Sequence, residues 1–148
     1  MLLQGARQVG KTWLINEFGK NEYSHYVYLN FEQTPSLKSL FKGDLSPQKI
    51  MENIGLFLGK KISADNTLIC FDEIQICPEA LTSLKYFQEQ APSVHLIAAG
   101  SLLGVSLGKT NSFPVGKVNF LTLYPLSFLV LLVIRKGSRS GFCISMEQ

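Results

Sequence analysis

Eight consecutive residues near the start of the chain, Gly5-Ala6-Arg7-Gln8-Val9-Gly10-Lys11-Thr12, constrain its fold more than any other stretch. The pattern is a glycine, four residues, then Gly-Lys-Thr. Glycine reaches backbone angles closed to other residues and lets the main chain approach a ligand, so amide NH groups can turn inward around an anion. Such a loop needs a strand ahead of it and a helix behind. The first helical turn leaves its NH groups unpaired and carries the positive end of the helix dipole. Met1-Leu2-Leu3 supplies a stub of strand and Trp13-Leu14-Ile15 opens an amphipathic run. The stretch reads as a phosphate-binding loop. The backbone of Gly5, Ala6, Arg7, Gln8, Val9 and Gly10 would wrap the phosphates, Lys11 would reach the β- and γ-phosphates as a point charge, and the Thr12 hydroxyl would ligate Mg²⁺. The competing reading is an ordinary glycine-rich turn between a strand and a helix.

The remaining chain alternates strand-like and helix-like segments. Residues 11–18 should be helical, with Trp13, Leu14 and Phe18 giving apolar contacts and Gly19 a left-handed stop. Residues 26–31 are aromatic and β-branched, as in a strand. Thr34-Pro35 opens a short helix ending near Gly43, and Ser46-Pro47 opens another, each with a capping hydroxyl and a proline in the first turn. The second places Ile50, Met51, Ile54, Phe57 and Leu58 on one face and ends at Gly59. Residues 67–71 form an unbroken apolar run tipped by Asp72-Glu73, which reads as a strand buried on both faces. Pro78 and Glu79 start a helix with Leu81, Leu84 and Phe87 inward, stopping before Pro92. A fourth strand covers 94–99, a short helix and a loop 102–112, a fifth strand 118–123 and a helix 126–134. Apolar strands alternating with helices predict one α/β domain with a mostly parallel five-stranded sheet and helices on both faces.

Composition excludes several other classes. At 148 residues the chain suits one domain with a real core. With 46% hydrophobic and 17% charged residues it is not a disordered chain. The net charge of +3 is small and the basic residues are scattered, so no nucleic-acid surface is indicated. Cys70, Cys77 and Cys143 form no C-x-x-C pair, which points to neither a zinc site nor a disulfide framework and suits a reduced cytoplasmic setting. The most apolar stretch, 121–134, is broken by Pro125 and shorter than the roughly 20 residues of a membrane span. His25 and His95 lie beside strands without a partner at useful spacing and read as structural.

Ligands of open α/β sheets bind outside the carboxyl ends of the strands, so the loop, Asp72-Glu73 and Ser101 should converge. Asp72 would hold Mg²⁺ through its water shell opposite Thr12, as a Walker B aspartate does opposite a Walker A loop. Glu73, one residue on, points elsewhere and suits a general base that polarises the attacking water. Ser101 would hydrogen-bond that water or the γ-phosphate. Each has a structural alternative: a solvated loop residue for Asp72, an exposed or helix-capping carboxylate for Glu73, a turn or cap serine for Ser101. Arg7 and Gln75 are polar neighbours for which solvent-facing roles stay open.

These segments together resemble a known family. Gly-Ala-Arg-Gln-Val-Gly-Lys-Thr, the run 68–75 ending Phe-Asp-Glu-Ile-Gln, Ala98-Ala99-Gly100-Ser101-Leu102-Leu103-Gly104, and Phe113-Pro-Val-Gly-Lys-Val with Leu123-Tyr-Pro-Leu-Ser-Phe128 are similar to prokaryotic AAA+-type ATPases that carry a C-terminal domain of unknown function. The resemblance spans about residues 2–128. It implies an AAA+-like P-loop NTPase fold in which another strand separates the Walker A and Walker B strands. It also implies ATP and Mg²⁺ as ligands, with Gly10, Lys11 and Thr12 binding them, Asp72 as Walker B aspartate, Glu73 as catalytic glutamate and Ser101 as a sensor-like residue.

The chain departs from the family at both flanks. It starts on the first strand and diverges after Phe128, so 1–128 is expected to be an N-terminally short ATP-binding domain. Residues 129–148 are expected to be an atypical tail, truncated or frameshifted, with the C-terminal domain absent. No arginine lies between Arg7 and Arg135. An arginine finger must therefore come from the tail, from a homo-oligomer or protein partner, or be replaced by Lys117. The expected function is ATP hydrolysis to ADP and phosphate, weak in this form. The alternatives are a non-catalytic fragment acting through partners and a small-molecule phosphotransferase.

Overall fold

The computed structural model describes residues 1–64, 66–101 and 119–126. Its central strand is its shortest kind: β1 (Leu2–Gln4) has three residues, yet it pairs in parallel with two other strands at once. Those neighbours are β4 (His95–Gly100) and β5 (Phe120–Thr122). Beyond β4 lie β3 (Thr67–Asp72) and, at the edge, β2 (His25–Asn30). The sheet runs β2-β3-β4-β1-β5, and every pairing is parallel. β4 therefore separates the strand leading into the loop from the strand ending in Asp72, the arrangement that the resemblance implies.

Helices cover both faces because parallel strands need crossover connections. On one face α1 (Lys11–Glu22) packs Ile15 against Leu3, Leu68, Cys70, Ile97 and Ala99. On the other, a 3-10 helix over Pro35–Phe41, α2 (Pro47–Leu58) and α3 (Pro78–Gln90) cover Leu2, Val27, Leu29, Ile69, Phe71 and Ala98. All six residues of β3 are buried, which explains its unbroken apolar run. Phe71 anchors that core, meeting the rings of Phe41, Phe31 and Phe87 edge-on at centroid distances of 5.3, 5.9 and 6.3 Å. Truncating such a residue typically costs about 3–5 kcal/mol. Since Phe71 precedes Asp72, core packing also holds the carboxyl end of β3 in place.

Several local expectations are corrected. α1 does not stop at Gly19 but runs through it to Glu22, and Gly19 is buried against Tyr26. Its buried stripe is Lys11, Ile15 and Gly19, every fourth residue, whereas Trp13 and Phe18 are 58% and 43% exposed. The segment after Thr34 is a 3-10 helix, and neither Thr34 nor Ser46 makes a side-chain cap. The Ser46 hydroxyl donates instead to Asp44 at 2.9 Å, a local bond that competes with capping. In α2, Ile50 and Ile54 are buried and Met51 packs beside them, but Phe57 and Leu58 face outward. Gly59 does end α2 in the left-handed conformation, its NH bonded back to Leu56 and Gly55. The stretch 102–112, most of the helix at 126–134, Lys117, Arg135 and Cys143 lie outside the described residues.

Candidate functional site

The loop after β1 meets the carboxyl end of β3 at one side chain pair. Gly10, with φ 96° and ψ 13°, turns the chain into α1, and Thr12 in the first turn donates from Oγ1 to Asp72 Oδ2 at 3.0 Å. Lys11, only 7% exposed, bends back over the loop so that its ammonium donates to the carbonyls of Gly5 (2.9 Å) and Ala6 (2.6 Å). Burial lowers its pKa from the ordinary 10.5, while Glu73 and Asp72 act in the opposite sense and Arg7 adds to the lowering. The cation is thus held by dipoles that a phosphate could replace.

Asp72 is 1% exposed, and a buried carboxylate must be compensated. Besides Thr12, its Oδ2 accepts from the Tyr28 hydroxyl at 2.5 Å and from Asn30 Nδ2 at 3.5 Å, and its Oδ1 accepts from the Glu73 amide at 2.9 Å. Tyr28 is held above the ordinary tyrosine value of 10 first by burial, with the Asn30 contact opposing and the Asp72 bond reinforcing that shift. It is therefore a donor at any working pH. Glu73 sits in the left-handed conformation, φ 52° and ψ 42°, uncommon for a residue that carries a side chain. Strain of this kind, typically about 1–3 kcal/mol, clusters at functional sites. Gln75 Nε2 donates to Glu73 Oε2, so the polar neighbour that the sequence left open touches the candidate base.

Arg7, Gln8, Gly10, Lys11, Thr12, Trp13 and Glu73 line a cleft of about 340 Å³. Two buried polar atoms have no partner among the described residues: Gln75 Oε1 and Ser101 Oγ. Ser101 follows the last residue of β4, the strand between the loop and Asp72. A larger cavity, about 1120 Å³, opens between α2, the turn at 59–62 and the chain entering β4, and holds none of the predicted site residues. It lies toward the amino ends of β3 and β4, the wrong end for ligands of a parallel sheet.

The pair Thr12 and Asp72 offers a hydroxyl and a carboxylate, the hard oxygen donors that Mg²⁺ prefers. No group of three or more His, Cys, Asp or Glu able to hold a metal occurs among the described residues. That donor set fits a cation taking few protein ligands and completing its shell from water and phosphate oxygens, which is how Mg²⁺ is usually held. Tyr28 and Asn30 are the contacts of the candidate site that sequence reasoning missed. The signal was present in the alternation Tyr26, Tyr28, Asn30 against Val27, Leu29, Phe31, which places three polar tips on one face of β2. What the sequence lacked was the register Asn30 to Asp72.

Cys70 and Cys77 are free buried thiols whose pKa values are raised chiefly by burial, that of Cys77 to about 11, so neither is a reactive thiolate. Among the described residues no helix is long and apolar enough to cross a membrane.

A family model described as an AAA domain matches residues 1–132. No curated protein matches the chain. Among solved structures, the Aeropyrum pernix ORC1 protein in complex with DNA is similar at a TM-score of 0.49 and 18% identity, over 91% of this chain and 42% of that one.

Proposed function

This chain belongs to the AAA domain family, and on that footing we propose that it binds ATP at residues 5–12 and hydrolyses the β,γ bond with Mg²⁺. The observation that carries the reading is the contact between Thr12 and Asp72, which sets a hydroxyl and a carboxylate from distant parts of the chain at one point beside the loop. Lys11 and the loop amides hold the phosphates, Lys11 exchanging its bonds to Gly5 and Ala6 for phosphate oxygens. When bound, Mg²⁺ supplies charge neutralisation to the β- and γ-phosphates, and Thr12 and Asp72 are the residues that would hold it. Glu73 takes the proton of the attacking water. Ser101, whose buried hydroxyl has no partner among the described residues, donates to that water or to the γ-phosphate.

Arg7 is the single arginine before Arg135 and belongs to the loop itself. On this reading the charge that develops on the γ-phosphate is met by a partner, in the simplest case a second copy of the chain, with Lys117 and the tail arginines as the alternatives within the chain. An arginine supplied in this way raises phosphoryl-transfer rates by about 10³–10⁵ where it operates. The isolated chain is accordingly a slow ATPase of the cytoplasm.

Calorimetry with the β,γ-imido analogue of ATP tests the binding half. Lys11→Ala should weaken the analogue at least about 100-fold, the order expected for removing a charged partner from a phosphate. Unchanged affinity in that variant would remove the assignment. Glu73→Gln should bind as the parent does and lose about 10²–10⁴ in turnover, the usual share of a general base. A Glu73→Gln protein that turns over ATP at the parent rate assigns the proton transfer elsewhere.

A further inference from the structure

Asp72 is oriented by a residue that belongs neither to the loop nor to the acidic pair. We propose that Tyr28, on the edge strand β2, is the positioning residue that aims the Asp72 carboxylate at the metal. The proposal rests on the Mg²⁺-ATP reading and adds a role to a side chain outside the nucleotide-binding segments.

The argument follows the hydrogen atoms. Asn30 Oδ1 accepts the backbone NH groups of Glu32 (2.9 Å) and Gln33 (2.8 Å) where the chain leaves β2. That fixes which end of the Asn30 amide is oxygen, so Nδ2 must point the other way, and it donates to the Tyr28 hydroxyl at 3.2 Å. With one lone pair of the phenol oxygen taken, its single hydrogen goes to Asp72 Oδ2, at 2.5 Å. The direction is thus set by backbone at one end and delivered to the carboxylate at the other.

The other donors to Asp72 cannot do the same. Thr12 is itself a proposed metal ligand, its lone pairs free for the cation while its single hydrogen goes to Asp72, so that bond ties one ligand to the other and not the carboxylate to the sheet. The Glu73 amide holds Oδ1 only, and Asn30 approaches Oδ2 no closer than 3.5 Å. Parallel pairing sets Tyr28 beside Cys70 and Asn30 beside Asp72, so the long phenol reaches forward by two residues from its own rung. A rigid ring is suited to that span. Partners that orient a ligating group typically govern about 10–100-fold in metal affinity.

The experiment titrates Mg²⁺ into the full chain with the β,γ-imido analogue of ATP, following analogue binding by calorimetry. Tyr28→Phe keeps the ring and removes the donor. Its analogue affinity in EDTA should stay within about twofold of the parent, its Mg²⁺ midpoint should rise about tenfold, and saturating Mg²⁺ should restore full affinity. Tyr26→Phe is the comparison, because its hydroxyl donates to Asn16 at 3.1 Å and not to Asp72. Its Mg²⁺ midpoint should match the parent.

A Tyr28→Phe midpoint equal to the parent's overturns the proposal, as does an equal shift in both phenylalanine variants, which would indicate general loosening of β2. If Tyr28→Phe does not fold, Asn30→Ala, which frees the phenol to turn, should shift the midpoint in the same direction, and no shift there counts equally against the idea. A parent chain that binds the analogue with no dependence on Mg²⁺ brings down the metal reading itself, and this inference with it.

Discussion

Thr12 and Asp72, sixty residues apart in sequence, meet through a 3.0 Å hydrogen bond from Oγ1 to Oδ2. Neither is held there by the other alone. Thr12 is fixed by the turn at Gly10 and by Asn16, whose amide donates to the Thr12 carbonyl at 2.9 Å. Asp72 is fixed by the buried strand behind it and by Tyr28 in front. The hydroxyl and the carboxylate are therefore preorganised as a pair, and their bond marks where a shared ligand would sit.

A pair that serves one cation should be strongly non-additive. Thr12→Ala and Asp72→Asn should each abolish most of the Mg²⁺-dependent gain in analogue affinity, and the double variant should lose little more than the worse single one. The coupling energy is expected at about 1–3 kcal/mol, the range for residues acting through one contact. Calorimetry of the four proteins measures it. Additive losses would mean that the two side chains serve separate purposes.

Lys11 predicts a pH dependence with a definite sign. Its folded pKa lies below the ordinary 10.5 because it is buried, whereas the unfolded chain returns it to the ordinary value. Between the two values the unfolded chain holds more protons, so this group makes stability rise with pH; its cost is present at neutral pH and relieved as pH rises through the folded value. Analogue binding should move the other way. Phosphates favour the charged lysine, so affinity measured in EDTA should be flat near neutrality and then fall about tenfold per pH unit once Lys11 begins to deprotonate. The break should come below 10.5 and be missing in Lys11→Ala. A break at or above the ordinary lysine value contradicts the assigned burial.

The helix behind the loop shows why part of the fold was legible and part was not. β2, β3 and β4 announce themselves by unbroken or alternating apolar runs, and Pro47, Pro78 and Gly59 mark helix ends by constraints on single residues. α1 misleads because sequence hydrophobicity cannot say how wide a stripe the sheet will cover. Only every fourth residue is buried, so Trp13 and Phe18 remain outside and the narrow column of Lys11, Ile15 and Gly19 goes in. The loop, Asp72 and Glu73 were readable as candidates, and as neighbours, because their patterns are local in sequence. Tyr28 was not, since its role depends on a register between two strands about forty residues apart.

Gly19 turns that lesson into a stability test. In an exposed helix interior, replacing glycine by alanine gains about 1 kcal/mol. Here a Cβ would stand 2.5 Å from Cδ2 and 2.6 Å from Cε2 of Tyr26. Overpacking of this kind costs about 1–3 kcal/mol, so Gly19→Ala should lower the urea midpoint despite the better helix propensity. In a Tyr26→Ala background the same change should raise it. Stabilisation in both backgrounds would place the ring elsewhere.

The two glycines that bound the loop motif make the last prediction, because they are there for different reasons. At Gly5, φ is +154° and a Cβ would lie 2.3 Å from the Leu123 carbonyl oxygen. The Leu123 amide bonds to Gln4 O at 2.8 Å as part of the pairing between β1 and β5, so the clash cannot relax without opening the sheet. Gly5→Ala should cost about 3 kcal/mol or more, a large part of a typical stability of about 5–15 kcal/mol. At Gly10, φ is +96° but a Cβ would meet nothing within 4 Å, because it would project into the cleft. Gly10→Ala should therefore carry only backbone strain, about 1–2 kcal/mol, and remain folded. Its defect should appear in analogue binding, where the added methyl occupies space meant for phosphate. Paired urea melts and calorimetry separate the two, with Gly5→Ala failing in the melt and Gly10→Ala failing in the titration. The reverse result would exchange their roles: Gly10 would serve the fold, and Gly5 the ligand.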